Sequence, residues 1–110
     1  MFKIIAQPTF TCEVMLSRPE SETPVVVDIT WRHKNSREVV AWLASATDKA
    51  DDAEFLDEVI AGWGRFVGED DQPLPYSKQA LSTLLATFPA AGKELTQAYY
   101  RRLTDARAKN

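Results

Sequence analysis

Between Asp52 and Leu103 the chain carries three apolar stripes at helical spacing, and such stripes are stable only when buried on one another, on a second layer or on a partner. The first is Phe55, Leu56, Val59, Ile60 and Trp63, which predicts a helix running from Asp51 or Asp52 through Trp63. Asp51, Asp52 and Glu54 crowd its first turn, where acids complement the helix dipole. Gly62 and Gly64 bracket Trp63, and a glycine there can end a helix in a left-handed conformation or let another backbone approach the indole. A second helix is capped by Ser77, carries Leu81, Leu84, Leu85 and Phe88, and stops at Pro89. A third begins near Ala91 with Leu95, Ala98, Tyr99 and Leu103, and closes with Arg101, Arg102, Arg107 and Lys109.

Upstream the period changes. Thr9 to Leu16 alternates, with Phe10, Cys12, Val14 and Leu16 on one side, and Val25 to Arg32 repeats the pattern with Val25, Val27, Ile29 and Trp31. The two predict a hairpin, joined by a polar, proline-punctuated loop over 17–24 that is too long for a two-residue turn. Asn35 and Glu38 are spaced as a capping box, and Val39, Trp42, Leu43 and Ala46 mark the buried stripe of the helix it opens. Gly68 to Pro75 is the longest polar loop. The expected fold is α+β and predominantly helical: one domain over residues 1–110, with an N-terminal β-hairpin (about 9–32) packed on about four helices (about 36–107).

Charge and composition narrow the function. A net charge of -3 gives no global support for phosphate-backbone binding, so nucleic acid is not an expected partner. Cys12 is the single cysteine, which excludes an internal disulfide and a Cys-rich metal site and fits a reducing compartment. No apolar run approaches the roughly 20 residues that span a bilayer, and the opening Met1–Ala6 is too short for a signal peptide's apolar region. A cytoplasmic protein without a membrane partner is expected.

Candidate chemistry is sparse. His33 has no orienting partner in sequence and reads as an exposed linker residue rather than a general base. Cys12 lies on the inward strand face with no basic neighbour to activate it. Glu69-Asp70-Asp71 lacks the alternating ligand spacing of a calcium loop and reads as solvated. Asp57 and Glu58 fall on the polar side of their helix, as a wet face or an acidic docking strip. Trp63 belongs to an apolar stripe, while Tyr99 and Tyr100, about 100° apart around a helix, cannot both face inward. No phosphate loop, catalytic triad or metal-spaced ligand set is present, so no enzymatic activity and no cofactor are expected.

The order Ile60-Ala61-Gly62-Trp63, acidic loop, Pro75-Tyr76-Ser77, Ala80-Leu81, Leu84-Leu85, Phe88-Pro89 and Ala98-Tyr99 resembles the tail assembly chaperones of long-tailed bacteriophages, with Trp31-Arg32 and Arg37-Glu38 a looser match. The resemblance implies a non-catalytic protein of the bacterial cytoplasm that coats the tape measure protein, keeps it soluble and gives way as tail tube subunits polymerise. It admits tube subunits and further copies of the chain as additional partners. The acidic patch Asp51 to Glu58 and the basic end Arg101 to Arg107 are complementary for head-to-tail contact. The best-matched positions, Trp63, Tyr76, Leu81 and Tyr99, are the candidate partner-binding residues, with core packing as the equal alternative. The resemblance also implies a longer, frameshifted form, and Ala108-Lys109-Asn110 is compatible with an A AAA AAC slip site. Composition and periodicity alone leave open an unrelated cytoplasmic adaptor or antitoxin-like module.

Overall fold

Two strands open the fold, β1 (Thr9–Arg18) and β2 (Ser21–Arg32), followed by α1 (Ser36–Ala44) and a 3-10 turn (Ser45–Asp48). Then come α2 (Asp52–Asp57), β3 (Ile60–Gly64), α3 (Lys78–Thr87) and α4 (Ala91–Thr104). The computed structural model describes residues 1–49 and 51–105. Arg107, Lys109 and the Ala108-Lys109-Asn110 slip site therefore lie outside the described residues.

The sheet order is β1-β2-β3, antiparallel throughout. The expectation of a predominantly helical fold on a two-stranded hairpin is corrected: the described residues are 41% helical and 28% strand, and form a three-stranded antiparallel sheet plus four helices. The correction comes from the stretch expected to be one long helix. Only Asp52–Asp57 is helical, and Ile60–Gly64 pairs with β2 instead.

A bulge explains the difference. Ile60 pairs with Trp31 while Gly62 pairs with Thr30, so Ala61 is an extra residue on β3. Ile60 and Trp63 thus both face the core although three positions apart, a spacing that mimics one helical turn. Val59 and Ile60 are β-branched, and Gly62 and Gly64 disfavour helix, so local preference also leans to strand. Arg32 completes the switch: its Nη1 donates to the carbonyls of Asp57 (2.9 Å) and Ile60 (2.7 Å), and its backbone N–H donates to Val59 (2.7 Å). Those bonds satisfy carbonyls that the end of α2 would otherwise orphan.

The 17–24 loop is corrected as well. The hairpin closes through two residues, Pro19 and Glu20, and Pro24 sits in an irregular stretch between the pairs Leu16 with Val25 and Arg18 with Ser21. A bulge tolerates a proline within a strand, which is why the polar stretch still pairs. Glycine does not supply the left-handed turns: among the described residues those with positive φ are Arg65 (67°) and Asp71 (60°).

Helix starts follow the expected caps. Asn35 and Glu38 form the reciprocal capping box of α1, Asp51 accepts from Glu54 N–H at 2.8 Å, and Ser77 accepts from Ala80 N–H at 3.0 Å. Val39 and Trp42 are buried as expected, but Leu43 is 38% exposed and Ala46 is exposed.

The helices cover one face of the sheet, and the core lies between. Trp31, Trp42 and Tyr99 are its largest fully buried side chains. Trp42 stacks on Phe55 at 4.2 Å and meets Tyr99 edge-on at 5.2 Å, while Trp31 lies 4.9 Å from Tyr99. Both buried indoles are satisfied, Trp42 Nε1 donating to the Phe55 carbonyl and Trp31 Nε1 to Cys12 Sγ. Across the opposite sheet face, Arg65 reaches Asp28 (2.7 Å) and Glu13 (2.5 Å), and Thr11 bonds Thr30 at 2.8 Å. The left-handed backbone at Arg65 returns its side chain over β2 and β1.

Candidate partner-binding surface

β3 leaves the sheet through Gly64 and Arg65 into a small hairpin-like loop. Leu74 N–H donates to the Phe66 carbonyl (2.9 Å), Gly68 N–H donates to Gln72 (3.0 Å), and Val67 bridges Pro73. The acids Glu69, Asp70 and Asp71 are exposed at its tip. The loop folds back over β3 and pins Trp63, whose Nε1 donates to the Leu74 carbonyl at 2.9 Å.

This return builds an aromatic cluster. Trp63 stacks on Phe66 with ring centres 3.9 Å apart and meets Tyr76 edge-on at 5.0 Å. All three rings are partly buried and packed against the core. Val67 (60% exposed) and Leu74 (37% exposed) extend the apolar surface on the loop. Tyr76 donates its hydroxyl to Asp57 Oδ1 at 2.5 Å; burial, and then this bond to a carboxylate, push its phenol well above the ordinary value. Tyr76 is thereby held neutral and fixed against the end of α2.

An apolar groove adjoins the cluster. It encloses about 200 Å³ between the turn end of the hairpin (Leu16, Val25, Val27), Phe66, and α3 (Leu84, Phe88). Glu94 of α4 holds the hairpin wall by accepting from the Ser17 N–H (2.9 Å) and the Ser17 hydroxyl.

The four candidate partner residues divide into two pairs. Trp63 and Tyr76 are brought together at the surface, whereas Leu81 and Tyr99 are fully buried and out of reach of a partner docking on the folded chain. Tyr99 donates to the Arg32 carbonyl at 2.7 Å, and burial pushes its phenol up to about 12. Tyr100, beside it, is 44% exposed, so the two tyrosines diverge as helical geometry requires. Sequence periodicity does not single out Phe66; its signal is the apolar pair Phe66-Val67 between Arg65 and Gly68, at the entrance to a polar loop.

The other candidates are placed as follows. His33 is exposed and its N–H donates to the Pro8 carbonyl. Cys12 is partly buried under the Trp31 indole. Of the acidic run, Asp51 caps α2, Asp57 binds Tyr76, and Glu58 pairs with Lys34 (3.3 Å) and Lys49 (3.5 Å). Much of the acidic strip, read as a wet face or a docking strip, is thus engaged within the chain. Among the described residues no group of three or more His, Cys, Asp or Glu is arranged to hold a metal, and no helix is long and apolar enough to cross a membrane.

A family model described as phage tail assembly chaperone matches residues 1–110. The chain belongs to that family. Membership gives the chaperone a role in phage tail assembly, implies that the role is non-enzymatic, and points to protein partners in the tail. Comparison of the chaperone with curated proteins and with solved structures returns no match.

Proposed function

We propose that this chaperone binds the tape measure protein in the bacterial cytoplasm and keeps it soluble until tail tube subunits replace it. The observation that carries the reading is the partly buried cluster of Trp63, Phe66 and Tyr76 with the exposed Val67 and Leu74 beside it. A long helical protein with exposed apolar stripes aggregates unless covered, and an aromatic surface edged by a hairpin is suited to take one face of an amphipathic helix. Aromatic residues are also the side chains that most often anchor such interfaces. Trp63 and Tyr76 make the contact, while Leu81 and Tyr99 hold the helices beneath it.

The patch on one copy is small, so a single copy binds weakly, and tight coating requires many copies on one tape measure chain. Co-expression with a tape measure protein tests the reading. The parent chain is expected to move the tape measure protein into the soluble fraction, and Val67→Asp with Leu74→Asp, both on exposed positions, is expected to leave it insoluble. A tape measure protein that is equally soluble with both chains, or with neither, would count against it.

A further inference from the structure

The segment that follows β3 is lightly attached to the rest of the fold. None of residues 65–76 is fully buried, whereas Ile60 before them and Leu81 after them are. The main-chain hydrogen bonds it makes run within it: Leu74 N–H to the Phe66 carbonyl, Gly68 N–H to the Gln72 carbonyl and Asp71 N–H to the Gly68 carbonyl. Polar side chains join it to the body. Arg65 binds Asp28 and Glu13 on the open sheet face, Trp63 Nε1 donates to the Leu74 carbonyl, and Tyr76 binds Asp57 at the far end. A segment with little buried apolar surface and its own set of main-chain bonds is of the kind that opens locally while the core stays folded.

We propose that residues 65–75 form a strap, latched by the ion pairs of Arg65, that opens as one unit and uncovers the Trp63 indole. The latch sits where the backbone is strained. Arg65 is left-handed at φ 67°, a region that side chains other than glycine rarely enter, although Gly64 stands just before it. Its pairs with Asp28 (2.7 Å) and Glu13 (2.5 Å) hold the guanidinium over the sheet in that conformation, and their loss lets the strain relax. Arg65 and Glu13 are exposed and Asp28 partly so, which makes the latch weak and screened by salt. Closed, the strap occupies the indole: Leu74 takes its N–H, and Phe66 stacks on the ring with centres 3.9 Å apart. A partner that reaches Trp63 is admitted when the strap opens, and the strap closes back with Val67 and Leu74 against it. That use rests on the reading of Trp63 as a tape measure contact, whereas the opening belongs to the free chain.

Hydrogen exchange followed proton by proton in NMR spectra of the free chain tests the proposal without a partner, so a failed strap and a failed tape measure experiment are told apart. The probes are the Trp63 indole N–H and the Gly68 and Leu74 amides; the reference is the Trp42 indole N–H, bonded to the Phe55 carbonyl in the core. In the parent the three strap protons are expected to share one protection factor, far below that of the Trp42 proton. Glu13→Gln with Asp28→Asn, which leaves Arg65 in place, is expected to lower that shared factor about three- to tenfold. Added salt is expected to lower it in the parent and not in this variant. Val39→Ala, a core truncation in α1, is expected to speed the Trp42 proton and leave the strap protons as they were. Strap protons as slow as that of Trp42, strap protons indifferent to the Glu13 and Asp28 changes, or strap protons that speed up with Trp42 in Val39→Ala would each overturn the proposal.

Discussion

Tyr99 donates its hydroxyl to the Arg32 carbonyl at 2.7 Å, joining α4 to the last residue of β2 across 67 positions of chain. The same Arg32 binds the carbonyls at the end of α2, so one strand terminus organises a helix end, a strand start and the final helix.

Removing that hydroxyl should therefore be felt. Tyr99→Phe leaves the carbonyl without its donor and is expected to cost about 1–2 kcal/mol, whereas Tyr99→Ala also opens a cavity in the core and should cost about 3–5 kcal/mol. Urea unfolding followed by tryptophan fluorescence separates the two. Equal losses would mean that the ring contributes nothing beyond the hydrogen bond.

Alkali acts on the same residue. Burial raises the Tyr99 phenol from 10.0 to about 12, so folding favours the neutral form. Its contribution is fully present below pH 10 and is lost as pH rises through about 12. Stability should fall over that window, and less steeply in Tyr99→Phe. Melting curves across the window decide it; identical slopes for the two chains would contradict the assignment.

Trp42 and Trp63 should respond differently to truncation. Trp42 is 2% exposed between Phe55 and Tyr99, and Trp42→Ala is expected to cost about 3–5 kcal/mol. Trp63 is only partly buried, so Trp63→Ala should cost less while weakening tape measure binding more. Paired stability and binding measurements check this, and a Trp63 variant that unfolds but binds normally whenever folded would return the residue to the core.

On the open sheet face, the hydrogen bond from Arg65 holds the Asp28 carboxyl below its ordinary 3.8. The stabilising contribution is present above that value and is lost as pH falls through the lowered one. In Arg65→Ala the Asp28 midpoint, followed by carboxyl carbon NMR, should return towards 3.8. Because the pair is exposed, added salt should shrink the difference.

Much of this was legible in the sequence for reasons that are local. Strict alternation in β1 and β2 gave their faces, and Asn35, Asp51, Ser77 and Pro89 marked helix ends through short-range hydrogen bonds and sterics. What escaped depends on contacts distant in sequence. The bulge at Ala61 is visible only against β2, the pairing of Ser21 with Arg18 only against the end of β1, and the groove joins Leu16, Phe66 and Leu84 from three separate segments. Trp63 and Tyr76 were identified as contact candidates, but only the fold of the 66–76 loop shows that they touch. Leu81 and Tyr99 share their spacing pattern and face inward instead.

Hydrogen exchange on the complex with a tape measure protein tests the central claim most directly. Residues 60–76, from β3 through the loop to Tyr76, are expected to gain protection, while the exposed face of α1 at Val40 and Leu43 exchanges as in the free chain. Protection centred on Val40 and Leu43, with 60–76 unchanged, would contradict the account.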